Sequence, residues 1–280
     1  MRLSGDPSQA VILAGGLGTR MRAGSGAAVA AHPLHAQQAA VAASGVKSMI
    51  PLNHGRPLLD YILSALADAG FTEACLVIGP EHDVVRDRYR SAVLVRRLRI
   101  VTAIQAEPRG TADAVLSARE FAADGEFVVL NGDNYYSAAT LDKLRRQHAP
   151  ALPAFARETL VRDGQIPAER IAQYALLDIA PDGALRRIVE KPDDATARAL
   201  SGAPVSMNCW LFTPAIFEAC RHVEPSARGE LELPLAVQYA IDTMSMRFIT
   251  FRAEEPVLDL SRREDILVVA ARLADVEVRL

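Results

Sequence analysis

Short apolar runs alternate with longer amphipathic ones through the first half of the chain. QAVILA (9–14) is apolar without a break and predicts a buried strand. RPLLDYILSALADAG (56–70) carries apolar residues at helical spacing and ends in glycine, so it predicts a helix. EACLVIG (73–79) and RIVTAIQ (99–105) predict strands, each followed by a helical pattern, HDVVRDRYRSA (82–92) and TADAVLSAREFAA (111–123). EFVVLNGDN (126–134) predicts a strand that runs into acid and amide. This βαβα order predicts an α/β fold, a parallel sheet covered by helices on both faces. Ligands of such sheets sit at the carboxyl ends of the strands. The glycine turn after the first strand and the LNGDN turn both fall there.

The second half is less regular. Residues 174–192 predict two strands joined by a Pro-Asp-Gly turn, and VSMNCWLF (205–212) predicts another strand. PAIFEACRHV, PLAVQYAIDTM and a closing segment at about 262–274 predict helices. Residues 23–46 are an alanine-rich insertion, in which Pro33 is placed to start a short helix and Gly45 to stop it. A surface helical hairpin and a lid over the glycine turn are equal readings of that segment. The 280 residues show no internal repeat and no linker that forces a boundary. They are expected to form one domain, with a first functional part at about 9–135 and a second at about 136–260.

Composition narrows the setting. Half of the residues are hydrophobic and 23% are charged, as in a globular protein with a sizeable core. A net charge of −3 gives no basic field for nucleic acid. Cys75, Cys209 and Cys220 are dispersed and form no CxxC pair, which fits a reducing compartment and excludes a structural zinc motif. No apolar run reaches membrane-spanning length and the N-terminus lacks a signal pattern, so a cytoplasmic location is expected.

The stretch VILAGGLGTRMR (11–22) carries the clearest chemistry. It is not a Walker loop, because Thr19 and Arg20 follow Gly18 where that loop needs lysine. It is not a dinucleotide fingerprint either, because Met21 stands where the third glycine belongs. What remains is GGxGTRM. Its glycines permit close backbone approach, its amides suit oxyanions, and Arg20 suits bidentate phosphate binding. Arg22 reads as a solvated surface charge. Asp133, at the end of a strand, has as its ordinary alternative a helix cap or a turn former.

Six further motifs follow in order: VKSMIP with Lys47 and Pro51; QAEPRGTADA with Gln105 and Gly110; NGDN with Asp133; EKP at Glu190–Pro192; GELE at Gly229–Glu232; and a late LD with Asp259 before Glu264-Asp265. Taken together, from Val11 to about Ala274, they resemble the sugar-1-phosphate nucleotidyltransferases, especially the short glucose-1-phosphate thymidylyltransferase type. The resemblance implies a Rossmann-like three-layer sandwich with a mixed, mostly parallel sheet. It implies transfer of a nucleotidyl group from an NTP to a sugar 1-phosphate, with release of pyrophosphate. It also implies Mg2+ on Asp133 and Asp259, since a hard cation takes oxygen ligands.

By the same resemblance, Arg20 would hold the β- and γ-phosphates, Lys47 would lie nearer the α-phosphate, and Lys191 would meet the phosphate of the sugar. The nucleotide would lie along Leu13, Ala14, Gly15, Gly16, Gly18 and Thr19 on one side and Gln105, Gly110 and Thr111 on the other. An amide offers donor and acceptor to a pyrimidine edge, so Gln105 leans towards dTTP or UTP. The sugar would meet Asn131, Tyr174, Ala175, Glu190, Asn208 and Glu230. Ala175 and Cys209 stand where many relatives have glycine, and are expected to add bulk beside the sugar. LSRRED (260–265) replaces the usual late turn, which brings Arg262 and Arg263 into question as site residues. Tyr135 and Tyr136 read either as pocket residues or as packed strand-end aromatics. These differences leave glucose 1-phosphate as the default acceptor, with amino, deoxy and carbocyclic phosphates open. Two other readings stay in view: a same-fold transferase for a non-sugar or cyclitol phosphate, and a non-catalytic nucleotide-sugar-binding regulatory subunit. Homo-oligomers are common in the family. The hexapeptide period of a left-handed β-helix is absent, so acetyl transfer is not expected.

Overall fold

The computed structural model describes residues 6–22, 34–90, 95–190 and 192–280. Its centre is a seven-stranded sheet. In chain order the strands are β1 (Gln9–Leu13), β2 (Glu73–Ile78), β3 (Arg99–Ile104), β4 (Phe127–Asn131), β6 (Ala151–Phe155), β9 (Cys209–Phe212) and β10 (Ile249–Ala253). In space they run β10-β6-β9-β4-β1-β2-β3. The pairs β1–β2, β2–β3, β1–β4 and β6–β10 are parallel, and β9 is antiparallel to both β4 and β6. The sheet is therefore mixed and mostly parallel. Two small antiparallel pairs stand beside it: β5 (Asn134–Tyr135) with β11 (Leu258–Asp259), and β7 (Leu176–Ile179) with β8 (Leu185–Val189).

The unbroken apolar runs have a physical reason, since both faces of the sheet are covered. Ile12 and Leu76 face a core built with helices Leu58–Asp68, Ala138–Arg145 and Asp265–Arg272. Their neighbours Val11 and Val77 face a second core, built with helices Thr111–Ser117, Ile216–His222 and Leu233–Asp242. Among the described residues, no helix is long and apolar enough to cross a membrane.

The insertion contributes a helix, Ala36–Ser44, which ends at Gly45 in the left-handed conformation, φ 81°. Its first part, with Pro33, lies outside the described residues, so neither hairpin nor lid is decided.

Two expected elements come out differently. The helix expected over 111–123 breaks at Ala118 into Thr111–Ser117 and Arg119–Ala122. The strand expected over 205–212 is regular only from Cys209, because Asn208 adopts φ 55°. Asparagine tolerates that region better than most residues. Ahead of it, Val205 makes only isolated bridges, to Phe155 and Leu176.

Candidate active site

The carboxyl ends of β1 and β4 open into two joined cavities. The larger, about 340 Å³, is lined by Leu13–Arg20, by Gln105, Gly110 and Thr111, and by Asn131–Asp133. The smaller, about 190 Å³, is lined by Tyr174, Ala175, Glu190, Asn208 and Asp259, among others. Arg20, Lys47, Asn131 and Asp133 belong to both and form the wall between them. A side pocket of about 140 Å³, which shares Gln173, Tyr174, Glu190 and Ser261 with the smaller cavity, adds Arg170 and Arg228.

The glycine loop is held from beneath. Gly18 has φ 58°, and a Cβ there would lie 2.2 Å from the carbonyl oxygen of Gly45. The end of the insertion helix is thus the floor of the loop. Arg22 is no idle surface charge, because its Nε donates to the Leu17 carbonyl at 2.9 Å and fastens the same turn. Arg263 donates to the Met21 carbonyl at 3.0 Å, so it braces the loop rather than entering the cavities. Arg262 is exposed, and its amide donates to Asp265 Oδ2 at 2.7 Å. On the opposite wall, Gly110 has φ 124°, and a Cβ would meet the Leu231 carbonyl oxygen at 2.5 Å. Only glycine lets these two chains touch.

At the shared wall, Lys47 Nζ lies 2.7 Å from Asp133 Oδ2. Burial is the largest single influence and would lower the lysine pKa, but the charge and hydrogen bond of Asp133, with the charge of Asp259, together outweigh it and the net shift is upward. Asp259 is buried and saturated. Its Oδ1 accepts from Asn134 Nδ2 at 3.1 Å and Ser261 Oγ at 2.8 Å. Its Oδ2 accepts from Tyr174 OH at 2.8 Å and from the Arg170 guanidinium. Arg170 also donates to Asp265 Oδ1 at 2.6 Å, tying the start of the last helix to the site. Burial and then the nearby Asp133 charge push the Asp259 carboxyl upward, while Arg170 pulls against them. Burial, with Asp259 next to it, also raises the Tyr174 phenol.

Among the described residues, no group of three or more His, Cys, Asp or Glu side chains is gathered for a metal. The donor set nonetheless fits a hard divalent cation. Asp133 already attracts a cation, its neighbour Asp259 feels its charge, and magnesium commonly uses one or two carboxylates with phosphate oxygens completing its shell. Direct ligation by Asp259 requires one of its four donors to give way.

The expected site residues divide clearly. Leu13, Ala14, Gly15, Gly16, Gly18, Thr19, Arg20, Lys47, Gln105, Gly110 and Thr111 come together around the larger cavity. Tyr174, Ala175, Glu190, Asn208, Asp133 and Asp259 come together around the smaller, and Asn131 borders both. Glu230 lines the larger cavity beside Pro108 and Gly110, and not the smaller one with Tyr174 and Glu190, because Leu231 packs on Gly110. Cys209 does not line the smaller cavity, since its side chain is buried in the core beneath β9. Lys191 lies outside the described residues. Tyr136 is buried and donates to the Met207 carbonyl, while Tyr135 is half-buried against the same core, so both are packed aromatics.

Arg170, Gln173, Arg228 and Ser261 escaped the motif reading. Only Ser261, two residues beyond Asp259, carried a positional signal.

Residues 40–256 match the family described as nucleotidyl transferase. The chain belongs to that family. Within it, a glucose-1-phosphate thymidylyltransferase of Streptomyces antibioticus is 32% identical over 243 residues, covering 84% of this chain and 57% of that one. A nucleotidyltransferase of Haloferax volcanii low-salt glycan biosynthesis, Agl11, is 28% identical over 240 residues, covering 83% of this chain and 58% of its own length. This nucleotidyl transferase chain thus spans little more than half of those two relatives. A UTP–glucose-1-phosphate uridylyltransferase of Haloferax volcanii, AglF, is 29% identical over 234 residues, covering 83% of each chain. In fold, the chain is similar to a UDP-glucose pyrophosphorylase solved with UDP-glucose. The TM-score is 0.73 and the identity 16%, with 96% of this chain and 99% of that one covered.

Proposed function

We propose that this nucleotidyl transferase moves a nucleotidyl group from UTP or dTTP to a sugar 1-phosphate, with glucose 1-phosphate as the default acceptor, in the cytoplasm. The observation that carries the reading is the shared wall. Two cavities, one floored by a phosphate-type glycine loop and one lined with hydroxyl-binding side chains, meet at Arg20, Lys47 and Asp133. The reaction joins two polyanions, and that junction is where their phosphates have to meet.

A phosphate oxygen of the sugar attacks the α-phosphorus in line, and the bond to the pyrophosphate oxygen breaks. No covalent enzyme intermediate is needed, so the protein works by positioning and charge neutralisation. Arg20 has no hydrogen-bond or ion-pair partner among the described residues, and is available to the β- and γ-phosphates. Lys47 is charged and half-held by Asp133, so it can turn towards the α-phosphate. Asp133, with Asp259 behind it, would hold magnesium. The metal would supply neutralisation of the phosphate oxygens as charge builds. Tyr174, Glu190 and Asn208 would hold the sugar hydroxyls, with Lys191 and Arg228 for its phosphate.

The test is pyrophosphate release with magnesium, with five nucleoside triphosphates crossed against a panel of sugar and cyclitol 1-phosphates. Release that requires one triphosphate and one sugar phosphate together is the expected result. Release without an acceptor, or silence across the panel with nucleotide still bound, would overturn the reading.

A further inference from the structure

Gln105 closes the end of β3 against the larger cavity, and its amide has a fixed direction. Its Nε2 donates to the Gly110 carbonyl at 3.0 Å and to Asp113 Oδ2 at 2.9 Å. A carbonyl and a carboxylate only accept. Turning the amide over would set Oε1 against both, so this network itself assigns oxygen and nitrogen. A primary amide has two N–H groups, and both are spent. Oε1 accepts no hydrogen bond among the described residues. What Gln105 offers a ligand is therefore an acceptor, and not the acceptor-and-donor pair expected of a free amide.

The nucleobases differ at the position that such an acceptor meets. Uracil and thymine carry N3–H between two carbonyls, and guanine carries N1–H beside O6. Cytosine N3 and adenine N1 are bare acceptors. We propose that Asp113 sets the base specificity of this chain: by holding the Gln105 amide with its oxygen towards the cavity, it selects bases that present a ring N–H beside a carbonyl and rejects cytosine and adenine. The inference rests on the nucleotidyl-transfer reading and deepens it. Asp113 is a positioning residue, since it touches Gln105 and not the nucleotide. It sits half-buried in the first turn of helix Thr111–Ser117, with Arg109 Nη1 3.9 Å from its other oxygen. An acid there also suits the helix dipole. That purely structural role would change stability and leave base preference untouched.

The experiment compares the wild type with Asp113→Ala and Asp113→Asn. Dissociation constants for UTP, dTTP, CTP, GTP and ATP with magnesium are read by calorimetry, which needs no acceptor. The kcat/KM for each triphosphate follows with glucose 1-phosphate. Facing two acceptors leaves a buried group unpaired, so UTP and dTTP should exceed CTP by about a hundredfold in the wild type, and GTP should exceed ATP. Asp113→Ala frees one N–H and should narrow the UTP-to-CTP ratio to about tenfold or less. Asp113→Asn should largely keep the ratio, because its Oδ1 still accepts from Gln105. CTP used as well as UTP by the wild type, or an unchanged ratio in Asp113→Ala, would overturn the inference. The wild-type ratio decides even if Asp113→Ala fails to fold. Nucleotide binding without base preference defeats this inference alone, whereas no nucleotide binding at all defeats the nucleotidyl-transfer reading with it.

Discussion

The two cavities that share the Arg20–Asp133 wall are made of different material. The larger cavity, proposed for the nucleotide, is chiefly backbone: the loop from Gly15 to Gly18 on one side, Gly110 packed against Leu231 on the other, and a single oriented amide between them. The smaller cavity and its side pocket, proposed for the acceptor, are side chains drawn from distant parts of the chain. Arg170, Tyr174, Glu190, Asn208 and Ser261 converge there, and a buried ion network centred on Asp259 holds several of them. A backbone site tolerates no added atom but is indifferent to most neighbouring side chains. A side-chain site can be retuned residue by residue, at the cost of keeping buried charges paired.

The strongest way to probe that division is to strike the shared wall. Asp133→Asn removes the partner of Lys47 and the half-buried carboxylate of the wall together. The kcat should fall by about a thousandfold with the unfolding curve little changed. A near-wild-type rate in magnesium would mean that the wall is not the reaction centre. Next, Gly110→Ala forces a side chain into the Leu231 backbone at a glycine-only φ. Strain of about 1–3 kcal/mol should raise the triphosphate KM by roughly tenfold or more, while leaving the KM for the sugar phosphate unchanged. Equal effects on both substrates would erase the distinction between the two sides.

Arg170→Met tests the acceptor side in a different currency, stability. It strands Asp259 as an uncompensated buried charge, and should cost about 3–5 kcal/mol in urea unfolding. Triphosphate binding by the folded fraction should persist. The mildest test is Ala175→Gly, which removes one carbon from the acceptor pocket. It should shift the acceptor KM by no more than about tenfold and the triphosphate KM not at all.

The nucleotide side was the more legible half of the sequence, for a reason visible in particular residues. Gly15 to Arg20 follow a continuous apolar strand, so one short window holds both the strand and the loop it feeds. Gln105 to Thr111 form a second such window. The acceptor side has no such window. Arg170 is one of many arginines, and nothing local says that it is buried between Asp259 and Asp265. Glu230 lies apart from the other residues expected at the sugar because its motif fixes its neighbour Leu231 against Gly110, and that contact sets the glutamate at the larger cavity. The fold divided in the same way. The parallel strands β1, β2 and β4 read directly because each is an apolar, mostly buried run, whereas β3, at the sheet edge with Arg99, Thr102 and Ile104 exposed, read from its β-branched residues. Strand β6 did not, since Pro153 interrupts ALPAF. It is accommodated where β9, paired with β6 only at Ala151, has already departed.

The contact between Gly18 and Gly45 has a further consequence, for how this chain can vary. The glycine loop rests on Gly45, the residue that ends helix Ala36–Ser44, so two stretches well apart in the chain share one footing. That helix is itself tied down, by Ala42 in the core and by Gln38 Nε2, which donates to the Pro51 carbonyl at 2.9 Å, so a replacement has to keep those contacts as well as a glycine in the same left-handed turn. Any graft that replaces helix Ala36–Ser44 is therefore judged first at Gly45, where the loop takes its footing.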